Sequence, residues 1–296
     1  MRAVQVTRFG GPEVLVCADV ARPTPISTEV LVRVIAAGIN PVDAKTRRGE
    51  GVARWVGPPP FIPGWDVCGT VEAMGYGVTR FKEGDIVYGM PRFPRAAGAY
   101  AEYVAAPSRH FARIAAGMSP TEAAALPLAA LTAWQCLVDT ANISDGQTVL
   151  VHGAGGGVGH LAVQIAKALG ARALITSRDD RRALQAKGVD VALDLVGGAD
   201  TLELVASVRP DGLLLAVADG ADARVKTEAE RRGVRVEEPL VEPDGHALDE
   251  IAKLVGSGAL KVMVAETFPL ERASAAHERL ERGGVGGKLV LEVGRD

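Results

Sequence analysis

The fold of this chain is decided by the stretch Val149–His160, whose sequence is VLVHGAGGGVGH. Its apolar start, Val149–Val151, predicts a buried strand, and the glycines that follow predict a tight turn into a helix. Such a turn lets the backbone approach a dinucleotide pyrophosphate closely, and the N–H groups at the start of the helix attract its negative charge. The stretch therefore predicts a dinucleotide site near the middle of the chain.

The glycines follow the pattern G-x-G-x-x-G, with alanine in the first position. We expect the cofactor to contact this loop and the residue before it, namely Gly153, Ala154, Gly155, Gly156, Gly157, Val158 and Gly159. The context supports this prediction, because apolar residues recur on one helical face from Leu161 to Leu169. The alternative is a glycine-rich turn that binds no ligand.

Strand and helix patterns alternate after the loop, which predicts a doubly wound parallel sheet. The expected strands are Ala173–Thr176, Val191–Leu195, Leu213–Val217 and Val234–Val236. The expected helices are Asp179–Lys187, Thr201–Val208, Ala221–Arg232 and Ala247–Val255.

The part before the loop has a different pattern. To about residue 118, short apolar runs are broken by Gly and Pro, which is typical of an irregular β domain. The expected strands are Val30–Ala37, Val67–Val71, Asp85–Tyr88 and Ala99–Ala105. Ser119 and Glu122 then form a capping box that predicts the start of a helix. Near the end, a helix over Leu270–Arg282 and a strand over Lys288–Val293 are expected.

Composition excludes several classes of protein. The chain has 296 residues, a formal net charge of -3 and three cysteines, too few and too scattered for a disulfide framework. No basic run with interleaved aromatic residues points to nucleic acid, and no apolar run is long enough to span a membrane. Because residues 1–6 alternate like a strand and lack the apolar core of a signal peptide, we expect a cytoplasmic protein.

The residues after the second strand of the parallel sheet bear on which nicotinamide cofactor binds. NAD-binding chains place an acidic residue at this strand end, whereas a 2′-phosphate needs hydroxyl groups and a cation. Ser177 and Arg178 supply both, which favours NADPH, and Asp179 and Asp180 are the competing evidence for NADH.

Several motifs outside the loop resemble the medium-chain dehydrogenase/reductase superfamily, and within it the zinc-free quinone oxidoreductase and alkenal/enone reductase branch. The matching stretches are Ala36–Lys45, Ile62–Val71, Phe81–Gly89, Ala124–Ala133 and Gly287–Leu291. The resemblance implies a GroES-like β-barrel substrate domain over residues 1–119, completed by 261–296. It also implies a Rossmann NADP-binding domain over 120–260 and a homodimer.

The zinc ligands of related alcohol dehydrogenases are missing. Those enzymes carry a Cys near the position of Gly38 and Gly-His-Glu near Gly64-Trp65-Asp66. Catalytic zinc needs such converging ligands, so we expect no metal. Without a strong Lewis acid, the expected hydride acceptor is a quinone or the conjugated C=C of an enone, whose oxygen needs only hydrogen-bond donors.

Three residues of the first domain are candidate catalytic groups. Asn40 matches the family asparagine beside nicotinamide and substrate, although before Pro41 it could merely shape a turn. Lys45 could polarise an enolate oxygen or relay a proton; alternatively, it is a surface lysine in a basic stretch. Asp43 could orient Lys45 or stabilise the loop.

The remaining candidates surround the cofactor or the substrate. Expected cofactor contacts are Thr132, Val196, Gly197 and Lys288. For Thr132 the alternative is the core of a helix, and for Lys288 an ordinary charge at a strand edge. Trp65 and Phe93 could wall the substrate pocket or serve only in packing.

Two other functions stay open at this point. One is a dedicated enoyl reductase of a biosynthetic route, for example one acting on a polyketide intermediate. The other is an NADPH-binding protein with a structural or regulatory role and no turnover.

Overall fold

The computed structural model describes residues 1–176, 182–218 and 220–294. In this part of the chain the strands are β1 Arg2–Val6, β2 Leu15–Asp19, β3 Glu29–Ile39, β4 Asp66–Met74, β5 Ile86–Gly89, β6 Tyr103–Pro107, β7 Phe111–Arg113, β8 Thr148–His152, β9 Arg172–Thr176, β10 Val189–Asp194, β11 Val208–Ala216, β12 Arg235–Glu237, β13 Val264–Pro269 and β14 Lys288–Glu292.

The α-helices of the described residues are α1 Pro41–Arg47, α2 Ala53–Val56, α3 Pro120–Ala124, α4 Pro127–Trp134, α5 Gly159–Ala168, α6 Asp200–Ser207, α7 Ala223–Arg232, α8 Gly245–Gly256 and α9 Ala273–Glu281. A π-helical turn, Gln135–Thr140, continues α4. Among the described residues, no helix is both long and apolar enough to span a bilayer.

The first compact unit comprises Met1–Leu131, Glu242–Ser257 and the residues from Val262 onward. Its main sheet has the strand order β13-β14-β3-β4-β5-β7, with β6 also paired to β3. The predicted β-rich domain is therefore present, and β14 near the end of the chain lies antiparallel beside β3. Its core is aliphatic and aromatic, and contains Val32, Val34, Val67, Val104 and Phe111.

Two segments that the sequence assigns to the Rossmann domain lie in the first unit. Helix α3 packs so closely on β3 that a Cβ on Gly38 would lie 2.3 Å from the Ala124 carbonyl oxygen. Helix α8 is tied to β5, because the Tyr88 hydroxyl donates to the Leu248 carbonyl at 2.6 Å. The predicted capping box of Ser119 and Glu122 begins α3.

The second unit comprises Thr132–Val241 and Gly258–Lys261, and contains a parallel sheet of five strands. Their order is β12-β11-β10-β8-β9. The strand order therefore reverses at β8, with β9 on one side of it and the following strands on the other. This confirms the predicted parallel sheet. Strand β11, which contains most of the expected strand Leu213–Val217, is paired on both sides.

Among the described residues, the sheet has one strand fewer than the common order 3-2-1-4-5-6. In that numbering, β8 is strand 1 and β9 is strand 2. The strands on the other side of β8 are strands 4, 5 and 6, which are β10, β11 and β12, so strand 3 has no described counterpart. Only 12 residues separate Thr176 at the end of β9 from Val189 at the start of β10. That length is about the minimum for one parallel crossover.

Candidate active site

The glycine loop joins β8 to α5 in the predicted strand–turn–helix arrangement. Gly153 has φ +90°, a conformation that favours glycine. A Cβ on Gly159 would lie 2.2 Å from the Gly153 carbonyl oxygen, so this position also requires glycine. The Ala154 N–H donates to the Thr176 carbonyl at 3.1 Å, which ties the loop to the end of β9.

The outer side of the loop is open. A Cβ on Gly155 would meet no atom within 4 Å, and Gly155 and Gly156 are exposed. Within the described part of the chain, the N–H groups of Gly155, Gly157 and Val158 have no hydrogen-bond acceptor. Unsatisfied donors at the start of a ten-residue helix attract anions, so these residues fit the pyrophosphate of a dinucleotide.

The loop after β10 lies against the glycine loop. Asp194 Oδ1 accepts the N–H groups of Val196 and Gly197 at 3.0 and 2.8 Å. A Cβ on Gly153 would lie 2.9 Å from Val196 Cγ2. The carboxyl ends of β8 and β10 thus bring these predicted contact residues together at the reversal point, where such sheets bind ligands.

Two further predicted cofactor residues, Ser177 and Arg178, lie outside the described residues. Thr132 is buried in α4, with 6% of its surface exposed. Its contact with the cofactor stays a prediction.

In the first unit, Asn40 lies at the end of β3 and at the start of α1, and it is 1% exposed. Its backbone N–H donates to Asp43 Oδ2 at 2.7 Å, and the Asp43 N–H donates to the Asn40 carbonyl at 3.0 Å. These two bonds fix the turn from strand to helix. Asp43 therefore supports Asn40 directly.

A directed chain of hydrogen bonds reaches Asp43 from the far side. Arg47 can only donate, so its Nη1 makes His277 Nδ1 an acceptor at 3.2 Å. His277 Nε2–H then donates to the Tyr100 hydroxyl at 3.1 Å, and that hydroxyl donates to Asp43 Oδ2 at 3.1 Å. Arg47, fully buried, also donates to Glu281 Oε1 at 2.5 Å.

Burial shifts the pKa values of two side chains in this series of hydrogen bonds, Asp43 and His277. It raises the pKa of Asp43 to about 7, and the neighbouring Asp66 acts in the same direction while the bond from Asn40 opposes it. Burial and the adjacent Arg47 guanidinium lower the pKa of His277 to about 3. Asp43 Oδ1 is buried and accepts no hydrogen bond from the described residues, which adds to the cost of ionising it.

The side chain of Asn40 is held by two charged residues. Its Nδ2 donates to Asp66 Oδ2 at 2.8 Å, and its Oδ1 accepts from Lys288 Nζ. Lys288 is only 3% exposed, so it is not an ordinary charge at a strand edge. We call the residues joined by these bonds the Asn40 cluster: Asn40, Asp43, Asp66, Tyr100, His277 and Lys288.

The other predicted residues of this unit are Lys45, Trp65 and Phe93. Lys45 is half-buried on α1, two positions after Asp43. Trp65 and Phe93 are buried against each other, with ring centroids 5.3 Å apart and an edge-to-face angle of 81°. The Trp65 indole N–H donates to the Arg95 carbonyl at 2.8 Å. Their role as pocket walls stays a prediction.

Comparison with known proteins matches both parts of the chain. A family model described as "Alcohol dehydrogenase GroES-like domain" covers residues 27–116, and one described as "Zinc-binding dehydrogenase" covers 169–291. A 2-methylene-furan-3-one reductase of Solanum lycopersicum is 34% identical over 98% of this chain and 79% of its own.

Solved structures agree with the family models. The quinone oxidoreductase from Coxiella burnetii has a TM-score of 0.89 at 32% identity, over 99% of each chain. A mycobacterial protein complexed with NADPH has a TM-score of 0.85 at 29% identity, over 99% of this chain and 100% of that one. The chain belongs to the medium-chain dehydrogenase/reductase superfamily. Within it, the chain falls in the zinc-free quinone oxidoreductase branch.

Membership of this superfamily makes the protein an oxidoreductase that uses a nicotinamide cofactor. The GroES-like and Rossmann-like parts predicted from the sequence are thereby confirmed. In residues 1–176, 182–218 and 220–294, no group of three His, Cys, Asp or Glu side chains is arranged to hold a metal ion.

This chain is shorter than one of these relatives over the part that aligns. Its alignment with the Solanum lycopersicum reductase runs over 310 residues, more than the 296 of the chain, so that relative has residues without a counterpart here.

Sequence reasoning missed Asp66, Tyr100, His277 and Arg47 as parts of the site. Arg47 belongs to a run of charged residues that predicts a solvated face, and His277 has no ligand-like spacing to other residues. One feature of the sequence did indicate a buried charged site: Lys288 directly precedes the apolar residues of β14.

Proposed function

We propose that this protein is an NADPH-dependent, zinc-free reductase that transfers hydride to a quinone or to the conjugated C=C of an enone. The observation that carries the proposal is the open loop of Gly155, Gly157 and Val158, whose N–H groups fit a dinucleotide pyrophosphate. The reductase from Solanum lycopersicum and the mycobacterial complex with NADPH support the substrate class and the cofactor.

When bound, the reduced nicotinamide supplies the hydride. In an enone the hydride adds to the β-carbon, the π electrons move onto the carbonyl oxygen, and a proton then adds at the α-carbon. The protein must therefore stabilise a negatively charged oxygen, which needs hydrogen-bond donors or a cation.

Asn40 and Lys45 are the groups that we propose for this task. The Asn40 amide donates to the substrate oxygen, and Lys45 polarises the same oxygen or relays the proton. Asp43 acts through Asn40, since its carboxylate accepts the Asn40 N–H at 2.7 Å. Ser177 and Arg178 bind the 2′-phosphate that distinguishes NADPH from NADH.

The test is to mix the purified protein with NADPH and a panel of quinones and enones, and to follow the absorbance of the reduced cofactor. We expect oxidation with at least one class of acceptor, and no change of rate after treatment with a zinc chelator. Tight NADPH binding without turnover on any acceptor would instead favour a structural or regulatory role.

Two variants test the assigned residues. Arg178→Ala should raise the KM for NADPH about tenfold or more and leave that for NADH nearly unchanged, because one charge-assisted phosphate contact is lost. Lys45→Ala should lower kcat, with Arg48→Ala as the control on the same charged stretch. Full kcat in Lys45→Ala would remove Lys45 from the mechanism.

A further inference from the structure

Three distant segments of the chain meet at Asn40. Asn40 follows the last residue of β3, Asp66 is the first residue of β4, and Lys288 is the first residue of β14. The order β14-β3-β4 and the antiparallel register set these positions side by side, with Leu289 opposite Ile39 and Asp66 opposite Gly38.

The chemistry of the two charged neighbours allows one orientation of the Asn40 carboxamide. An ammonium group only donates and a carboxylate only accepts. Lys288 Nζ donates to Asn40 Oδ1, and Asp66 Oδ2 accepts from Asn40 Nδ2 at 2.8 Å. A flipped amide would place its NH₂ group against the ammonium and its oxygen against the carboxylate. One N–H of Asn40 remains for another acceptor.

Both charged groups are buried and depend on each other. Asp66 is fully buried, and its Oδ2 lies 3.5 Å from Lys288 Nζ. Its Oδ1 accepts the Leu128 N–H at 2.8 Å, so both oxygens serve as acceptors, as an ionised carboxylate requires. Burial lowers the pKa of Lys288 and raises that of Asp66.

A buried ion pair of this kind is poor evidence for stability, because apolar residues of similar volume are often equally stabilising. The arrangement does provide orientation. A cation at the amide oxygen and a carboxylate at the amide nitrogen hold the group in one state and polarise it.

We propose that Lys288 and Asp66 are positioning residues, which fix the Asn40 carboxamide so that its remaining N–H is the donor offered to the substrate oxygen. The inference rests on the proposed function of Asn40. The polarised amide is a stronger donor to an oxygen that gains negative charge. Lys288 acts through Asn40 in this proposal and does not bind the cofactor.

The central variant is the double substitution Asp66→Asn/Lys288→Met. It removes both charges together, which avoids an uncompensated buried ion, and Asn at position 66 can still accept the Leu128 N–H. We expect kcat to fall about 10- to 100-fold, while the Kd for NADPH, measured by fluorescence titration, stays within about twofold. The exposed Lys82→Met is the control.

A merely structural role is distinguished by combining the double substitution with Asn40→Ala. If Lys288 and Asp66 act through Asn40, the double substitution should cost nothing more in an Asn40→Ala background. An equal loss in both backgrounds overturns the proposal. A rise in the Kd for NADPH that matches the loss of kcat/KM would assign Lys288 to cofactor binding and also overturn it.

A measurement that needs no substrate turnover can test this proposal independently of the proposed function. The Asn40 side-chain amide should show one pair of NMR cross-peaks that exchange slowly with water, and exchange should speed up about tenfold or more in the double variant. Unchanged exchange overturns the proposal, even if a substrate is found. Failure to oxidise NADPH with any acceptor would instead count against the proposed function alone.

Discussion

The glycine loop and the Asn40 cluster are built in opposite ways. The loop uses backbone N–H groups, and its key positions are ones where a side chain must be absent, as at Gly159. The cluster uses buried charged and polar side chains joined by hydrogen bonds. Changes in the loop should therefore act through steric contacts, and changes in the cluster through charge and protonation.

The largest effect should come from removing a buried charge beside the cluster. Arg47→Met removes a fully buried guanidinium that donates to Glu281, His277 and the Gly10 carbonyl. We expect the free energy of unfolding to fall by about 3 kcal/mol. The control is Arg48→Met, whose side chain is 36% exposed and should cost about 1 kcal/mol or less.

Chemical denaturation of the two variants measures this difference. Equal losses in Arg47→Met and Arg48→Met would show that the buried chain of hydrogen bonds does not depend on its terminal arginine.

A steric effect of intermediate size is expected in the loop. In Gly159→Ala the new Cβ would lie 2.2 Å from a backbone oxygen, so the loop must shift at a cost of about 1–3 kcal/mol. In Gly155→Ala the new Cβ meets no atom within 4 Å, so stability should change by about 0.5 kcal/mol or less.

Binding should respond differently from stability in this pair. Because Gly155 lies on the open side of the loop, Gly155→Ala should raise the Kd for NADPH at an unchanged melting temperature. Unaltered binding in Gly155→Ala would place the pyrophosphate elsewhere than on this side of the loop.

A smaller effect concerns pH and belongs to the cluster alone. Burial raises the pKa of Asp43 to about 7. Its contribution to the free energy of unfolding is therefore complete below its pKa in the unfolded chain, near 3.8, and is lost as the pH rises through 7. Burial lowers the pKa of His277 to about 3. Its contribution to the free energy of unfolding is therefore complete above pH 6.5, its pKa in the unfolded chain, and is lost as the pH falls toward 3.

Between about pH 4 and 6.5 the two contributions oppose each other, and single variants should separate them. Asp43→Asn should make stability rise with pH in this range, and His277→Gln should make it fall, each by up to about 1.4 kcal/mol per pH unit. Denaturant titrations at several pH values measure both slopes. Slopes of the same sign in the two variants would show that Asp43 and His277 do not have these opposite pKa shifts.

The sequence predicted well those features that depend on neighbouring residues. The apolar run, the glycines and the helical periodicity after Val149 lie within one short segment, and the structure confirms strand, loop and helix there. The capping box at Ser119 is confirmed for the same reason. The pattern did not show β13, and it began the strand over Ala99–Ala105 too early, since β6 starts at Tyr103.

The sequence alone therefore determined the dinucleotide loop, the parallel sheet and Asn40 as a residue of interest. Only the tertiary structure decided what surrounds Asn40. Asp66, Tyr100, His277 and Lys288 are far apart in the chain, and strand pairing and helix packing bring them to one place. The reason is physical: a glycine turn is shaped by local backbone geometry, whereas a buried charged pair exists only when the whole sheet holds its partners together.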